Sequence, residues 1–287
     1  MGIQVRGHNI LWEDPSFQPE WVKTLSPAEL SSAATKRLTS IVRRYARQLI
    51  AWDVVNENLH FSFFESKLGQ NASAAFYRLA HQLDPATTLF LNDYNTIEDM
   101  RDPASTPAAY LRKIRQIQST GFNGLLGIGL EAHFKSPPNL PYIRASIDQL
   151  AAARLPIWLT ELDVSWSPQQ ASYLEQILRE AHAHPAVNGI VIWAAWKPEG
   201  CYQMCLTDNN FRNLPTGDVV DKLMREWKQD GSIGTTDTEG IFETSLFHGD
   251  YELTITHSGV TNSSSAQSLK VASRDKSQQT LHVKVSS

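Results

Sequence analysis

The sequence predicts an α/β fold in which parallel strands alternate with outer helices and curl into a barrel, followed by a small β-rich appendage. Three observations carry this. Short apolar, β-rich runs recur about every 30 to 40 residues, the length of one strand-plus-helix unit. Helical patterns with clear start signals lie between them. Each run also ends in polar or aromatic residues, as barrel strands do on the face where sites are built. A Rossmann-type sheet would need a glycine-rich phosphate loop after its first strand, and none is present.

In chain order, residues 3–10 form the first expected strand, and residues 51–57, 88–94, 127–133, 156–163 and 189–193 the next five. Ser26-Pro-Ala-Glu29 opens the first long helix with a hydroxyl cap, a proline at the first helical position and a carboxylate reaching back. Ser167-Pro-Gln-Gln170 repeats that design before a helix running to about His182, and residues 108–119 and 141–155 show apolar positions at helical spacing. The count is thus six strands, where a complete barrel of this kind has eight. From about Asp230 Ser, Thr and Gly rise, so residues 1–229 are expected to be the barrel and 230–287 the appendage. Alternating runs at 240–247, 251–256 and 280–285 predict strands, with His248-Gly-Asp250 as a hairpin turn and 258–268 as a loop.

The chain has 287 residues, 41% of them hydrophobic, and a net charge of -4. That suffices for one large domain with a small addition. No run of about eighteen apolar residues occurs, so no membrane-spanning helix is expected. A weakly acidic balance without basic clusters argues against nucleic acid and for a neutral substrate. The N-terminus lacks the apolar segment of a signal peptide. The two cysteines, Cys201 and Cys205, suit a short loop staple in an oxidising compartment or a pair of free thiols. No thioredoxin-like context or further ligands accompany them, so neither redox catalysis nor a metal site is expected. Sequons at Asn71 and Asn262 would suit a secreted chain.

Glycoside hydrolysis needs two carboxylates on opposite sides of the bond, about 5 to 5.5 Å apart in the retaining version, and Glu57 and Glu161, at the ends of different strands, are well placed to supply them. A strand-end Glu is more often a solvated or salt-bridged carboxylate, but the surroundings of these two argue otherwise. Asn56 precedes Glu57 and can donate to a sugar 2-hydroxyl, and Asp163 points the same way as Glu161 along its strand. His133 can hold one carboxylate ionised while the other stays protonated. Trp12 and Trp193 are candidate walls for a pyranose ring, whereas Trp52 and Trp158 fall early in their strands and read as structural. Asn92, Asp93 and Tyr94 reach the same face without an assignable role. An aldolase would want a lysine at a strand end, and none is there.

These residues resemble the plant members of glycoside hydrolase family 10, the endo-1,4-β-xylanases. The likeness rests on Arg6-Gly-His-Asn-Ile-Leu-Trp12, Trp52-Asp-Val-Val-Asn-Glu57, Asn92-Asp-Tyr-Asn95, Gly127-Ile-Gly-Leu-Glu-Ala-His133, Trp158-Leu-Thr-Glu-Leu-Asp163, Trp193 and the run from Gly200 to Asn210, in that order. It implies a (β/α)8 barrel hydrolysing xylan by double displacement, without metal or cofactor. Glu57 looks like the acid/base and Glu161 like the nucleophile, with His133 bonded to the nucleophile and Asp163 behind it. His8, Trp12 and Trp193 resemble glycone-subsite residues. Glu131 stands where many microbial members have Gln.

The family places two βα units before the Arg6-Gly-His strand, so the resemblance implies a barrel lacking its first two units. The chain is then expected to be a truncated gene product or gene model begun at an internal Met. Missing strands would leave sheet edges unpaired and open the core. Two functions compete: a monomeric, extracellular cell-wall xylanase, and an inactive remnant with at most weak polysaccharide binding.

Overall fold

The computed structural model describes residues 3–228, 232–246, 249–256, 265–271 and 280–283. They fall into two compact units, residues 1–219 and 220–287. No helix among them is long and apolar enough to cross a membrane.

The first unit is a curled, wholly parallel sheet with helices outside it. Its first strand position is split into β1 (Arg6–Gly7) and β2 (Leu11–Trp12), both paired with β3 (Ala51–Asn56). Residues 3–10 were expected to run as one strand. Arg6 faces Ala51 while Leu11 faces Val55, so one residue too many lies between the pairs and the strand bulges there. Helices α1 (Glu20–Lys23) and α2 (Pro27–Tyr45) separate β2 from β3. Beyond β3, α3 (Phe63–Leu68) and α4 (Ala72–Leu83) lead to β4 (Thr88–Asp93), and α5 (Pro107–Ser119) to β5 (Leu126–Leu130). That strand continues as the short β6 (His133–Phe134); then α6 (Leu140–Ala151), β7 (Ile157–Val164), α7 (Gln170–His182) and β8 (Val187–Ile192) complete the alternation. The sheet therefore has six strand positions, in sequence order. Among the described residues β1 and β2 pair only with β3, and β8 only with β7.

Burial follows that order. Every residue of β3 and β5 is buried, and so is nearly all of β4 and β7. By contrast β8, with the apolar run Gly189-Ile-Val-Ile192, is half-exposed along most of its length. Apolar stripes on the helices close the outside: Leu30, Ala34, Leu38 and Val42 of α2 recur at helical spacing and are all buried. The Ser26 capping box forms as expected, with Ser26 N donating to Glu29 and Glu29 N donating to the Ser26 hydroxyl. The Ser167 box does not. Ser167 O accepts from Gln170 N and its hydroxyl accepts from Gln169 N, so this serine closes a turn and the helix starts only at Gln170. The helix expected over 141–155 ends at Ala151.

The second unit begins inside α8 (Pro215–Trp227) and contains an antiparallel hairpin, β9 (Gly249–Ile255) with β10 (Ser265–Val271). Three expectations fail here. Gly249 and Asp250 lie in a strand and not a turn; residues 265–268 are strand and not loop; and residues 240–246 and 280–283 form no strand. The remainder of those ranges, 247–248, 258–264 and 284–285, lies outside the described residues. The alternation is real but is satisfied by a different partner: Tyr251, Leu253 and Ile255 face one way on β9, and Leu269 pairs with Tyr251 across the ladder.

Candidate active site

The C-terminal ends of β3, β4, β5 and β7 bring together Asn56, Asn92, Glu131 and Glu161, all buried, with Glu57 one residue past β3. Glu57 has φ +56°, a left-handed conformation that a side chain rarely adopts. Its backbone N–H donates to Asn92 O, which keeps it in the line of the sheet while the chain turns away. Asn92 is the hub. Its Nδ2 lies 2.9 Å from Asn56 Oδ1, 3.2 Å from Glu131 Oε1 and 2.8 Å from Glu161 Oε1, and its Oδ1 accepts from the Thr160 hydroxyl. Room for this amide comes from Gly129, where a Cβ would stand 2.5 Å from Asn92 Oδ1.

Glu161 is surrounded by donors. His133 Nε2 lies 3.5 Å from Oε2, and His8 Nδ1 lies 3.7 Å from Oε1. His133 is anchored on its other nitrogen, Nδ1 lying 2.8 Å from Asp163 Oδ1, whereas His8 turns the same Nδ1 to Asp53 Oδ2 at 3.1 Å and acts on Glu161 through its charge. Burial alone would lower the pKa of His133, but Asp163 and Glu161 outweigh it and push it up to about 9. For His8 too, burial is outweighed, by Asp53 and then Glu161, and its pKa is raised. For Glu161 burial works towards protonation, yet His133, His8 and Asn92 together hold it below the usual carboxylate range. This side of the site keeps an anion.

Around Glu57 the balance is reversed. Burial pushes its pKa up to about 7, the Trp12 indole opposes, and the carboxylates of Asp93, Asp14 and Glu161 add to the rise. Glu131 is raised as well, by burial and then by the charges of Glu161 and Glu57. Its carboxyl is thus shifted in the opposite direction from that of Glu161, which lies beside it. Glu131, His133 and Glu161 offer ligand atoms within 4.8 Å of one another. The His133 ring already has Asp163 on one nitrogen and Glu161 near the other, and Glu131 Oε1 accepts from Asn92, so these atoms already have hydrogen-bond partners within the site.

Aromatic rings border the two histidines and Glu57. Trp193 stands edge-on to both His8 and His133, at 5.5 and 6.5 Å between ring centres. Trp12 is stacked on Phe17 at 4.0 Å, so one indole face is already covered. Cys201 and Cys205 are joined in a disulfide with Cα atoms 5.3 Å apart. Within that stapled loop Gln203 Nε2 donates to Asp163 Oδ1 at 3.3 Å, and Tyr202 lies edge-on to His133.

A family model, glycosyl hydrolase family 10, matches residues 1–216. The chain belongs to glycosyl hydrolase family 10. It is 42% identical to the Arabidopsis thaliana protein named endo-1,4-beta-xylanase 5-like, over 99% of this chain and 52% of the relative. With endo-1,4-beta-xylanase 5 of the same plant it shares 45%, over 94% of this chain and 49% of the relative. The chain thus spans about half the length of the curated relatives it matches. Xylanase 10B of Thermotoga petrophila, solved in complex with xylobiose, superposes with a TM-score of 0.66 at 23% identity, covering 78% of this chain and 74% of that one. Native xylanase 10B of Thermotoga maritima gives 0.63 at 24%, covering 78% and 76%. These neighbours establish the barrel fold of this family 10 chain.

Reading the sequence missed several members of the site. Asn92 stood at a strand end without a role, because its four side-chain partners come from the ends of β3 and β5 and from β7. Asp53 sits mid-strand, and only the side-by-side pairing of β1 and β3 brings it under His8. Gln203 gave no signal beyond lying between the two cysteines.

Proposed function

We propose that this family 10 chain carries the catalytic machinery of a retaining endo-1,4-β-xylanase, with Glu57 as acid/base and Glu161 as nucleophile. The observation that carries the reading is the opposite electrostatic setting of the two glutamates: one held protonated to about pH 7, the other held ionised. Glu161 attacks the anomeric carbon while Glu57 gives its proton to the leaving glycosidic oxygen, leaving a glycosyl ester on Glu161. Water then attacks that ester, Glu57 takes the water's proton, and the sugar departs with its original anomeric configuration. Asn56 donates to the 2-hydroxyl. His133, backed by Asp163, holds the nucleophile. His8, Trp12, Glu131 and Trp193 contact the sugars.

The names of the Arabidopsis relatives support xylan as the substrate class, and the xylobiose complex of a fold neighbour supports xylo-oligosaccharides. In this reading the protein works as a monomer at the plant cell wall, without metal, cofactor, nucleic acid or membrane. Residues 1–229 act as the catalytic region and 230–287 as an appendage. Reducing-sugar release from xylan by the 287-residue chain tests this, with Glu161→Ala as control. Release that vanishes in the control supports the reading; soluble, folded protein with no release overturns it.

A further inference from the structure

His60, three residues beyond Glu57, is held by a carboxylate on each ring nitrogen. Its Nδ1 lies 2.5 Å from Asp93 Oδ1 and its Nε2 2.9 Å from Asp102 Oδ2. The ring is stacked flat on Tyr94, 3.8 Å between centres and 6° between planes. Asp93 is wholly buried and accepts two further bonds, from Leu59 N at 2.6 Å and Tyr94 N at 3.0 Å. At the far end Asp102 also accepts from Asn95 Nδ2 at 2.7 Å. One ring thus ties together the turn after β3, the end of β4 and the segment that follows it. Glu57 begins that turn, and Phe61 N donates back to Glu57 O across it.

The placement matters because of Glu57's backbone. A non-glycine residue at φ +56° persists only where its surroundings over-determine it. Behind Glu57 lies the sheet bond to Asn92; ahead of it lies the turn that His60 clamps. Tyr94, held by the stack, lies close enough to feel the Glu57 charge before any other. We propose that His60 is a positioning residue for Glu57, a cation bridging Asp93 and Asp102 that fixes the turn and Tyr94 so that the carboxyl meets the leaving oxygen. This deepens the proposed function and rests on its assignment of Glu57.

The charges facing the ring favour its cationic form. Burial would lower the His60 pKa, but Asp93 and then Asp102 push it up to about 9. On the outer side Glu65 of α3 and Lys113 of α5 are paired with each other at 2.8 Å, and Arg112 lines the same cavity. The bridge sets an imidazole against buried Asp93, whose charge acts on Glu57. Neither carboxylate of the bridge contacts the nucleophile side.

The discriminating readout is dependence on the leaving group. A glycoside whose leaving group departs readily as an anion needs no proton from Glu57, whereas a poor leaving group does. On the full 287-residue chain, kcat/KM is measured for dinitrophenyl and unsubstituted phenyl β-xylobiosides. For His60→Ala it is expected to fall about tenfold or more with the phenyl substrate, part of the roughly 10²- to 10⁴-fold that acid catalysis supplies, and less than about threefold with the dinitrophenyl one. Asp102→Asn, at the more exposed end of the bridge, is expected to split the two substrates in the same direction by a smaller factor. Equal losses on both substrates in the two variants would mean a merely structural role, and no loss in either would mean no role; each overturns the proposal. Glu57→Ala separates the levels. If it splits the substrates and His60→Ala does not, only this inference falls; if it fails to split them, the reading of Glu57 falls and takes the inference with it.

Discussion

The two glutamates occupy equivalent places, each at the C-terminal end of a buried strand, yet the molecule treats them in opposite ways. Around Glu161 on β7 lie two imidazoles, each bonded to an aspartate, and the amide of Asn92. Around Glu57, just past β3, lie burial and three carboxylates, with one indole opposing them. Desolvation acts in the same direction on both residues. What separates them is the company kept by each strand end, and that separation is what a double displacement requires.

The largest expected effects break the comparison outright. Glu161→Ala should lower kcat on every glycoside by a factor on the order of 10⁴ or more, as loss of a nucleophile does. Glu57→Ala should cost about 10²- to 10⁴-fold on poor leaving groups, the range of general acid catalysis, when kcat/KM is measured. Equal losses for both variants on an activated substrate would erase the distinction.

A smaller effect sharpens it. His133→Ala removes the strongest influence opposing protonation of Glu161, so the acidic limb of the pH profile of kcat/KM should move to higher pH while the alkaline limb stays. In the unaltered chain that alkaline limb should fall near pH 7, where Glu57 loses its proton, and the acidic limb below the ordinary Glu value. A profile flat through neutrality would contradict the Glu57 assignment.

The smallest effect is on stability. His60 and His133, raised to about 9 in the fold from about 6.5, contribute stability that is complete below pH 6.5 and lost as pH rises through 9. Glu13 and Glu57, raised to about 7, lose theirs as pH rises through 7. Carboxylates with lowered values, such as Glu161 and Asp102, are already ionised across this window. Tm should therefore decline from pH 5 to pH 9, by about 5 °C or more. A rise over that range would mean these groups are not titrating as their surroundings dictate.

Much of the barrel was legible in the sequence because its strands are apolar runs closed by helices with strong start signals, of which Ser26 to Glu29 is the clearest. Ser167 showed the limit: the same residue types closed a turn, and helix and turn share their first hydrogen bonds. In the hairpin of β9 and β10 the period of two was readable, but the partner was not. Glu57, Glu161, His133 and Asp163 could be named because strand-end chemistry is local. Asn92, Asp53 and His60 act through partners 33 to 69 residues away, so only the folded sheet reveals them.

The edge strands mark a second contrast, between a buried centre that holds the carboxylates and a β8 that pairs on one side only among the described residues. Glu57, just past β3, and Glu161, on β7, nevertheless belong to strands that are paired on both sides.

The most direct test of the central claim is covalent trapping. A 2-fluoro xylobioside with a good leaving group, incubated with the chain, should form a stable ester, and peptide mass spectrometry should place the added sugar on Glu161. A label on another residue, or turnover of natural substrate without any trapped ester, would contradict the account.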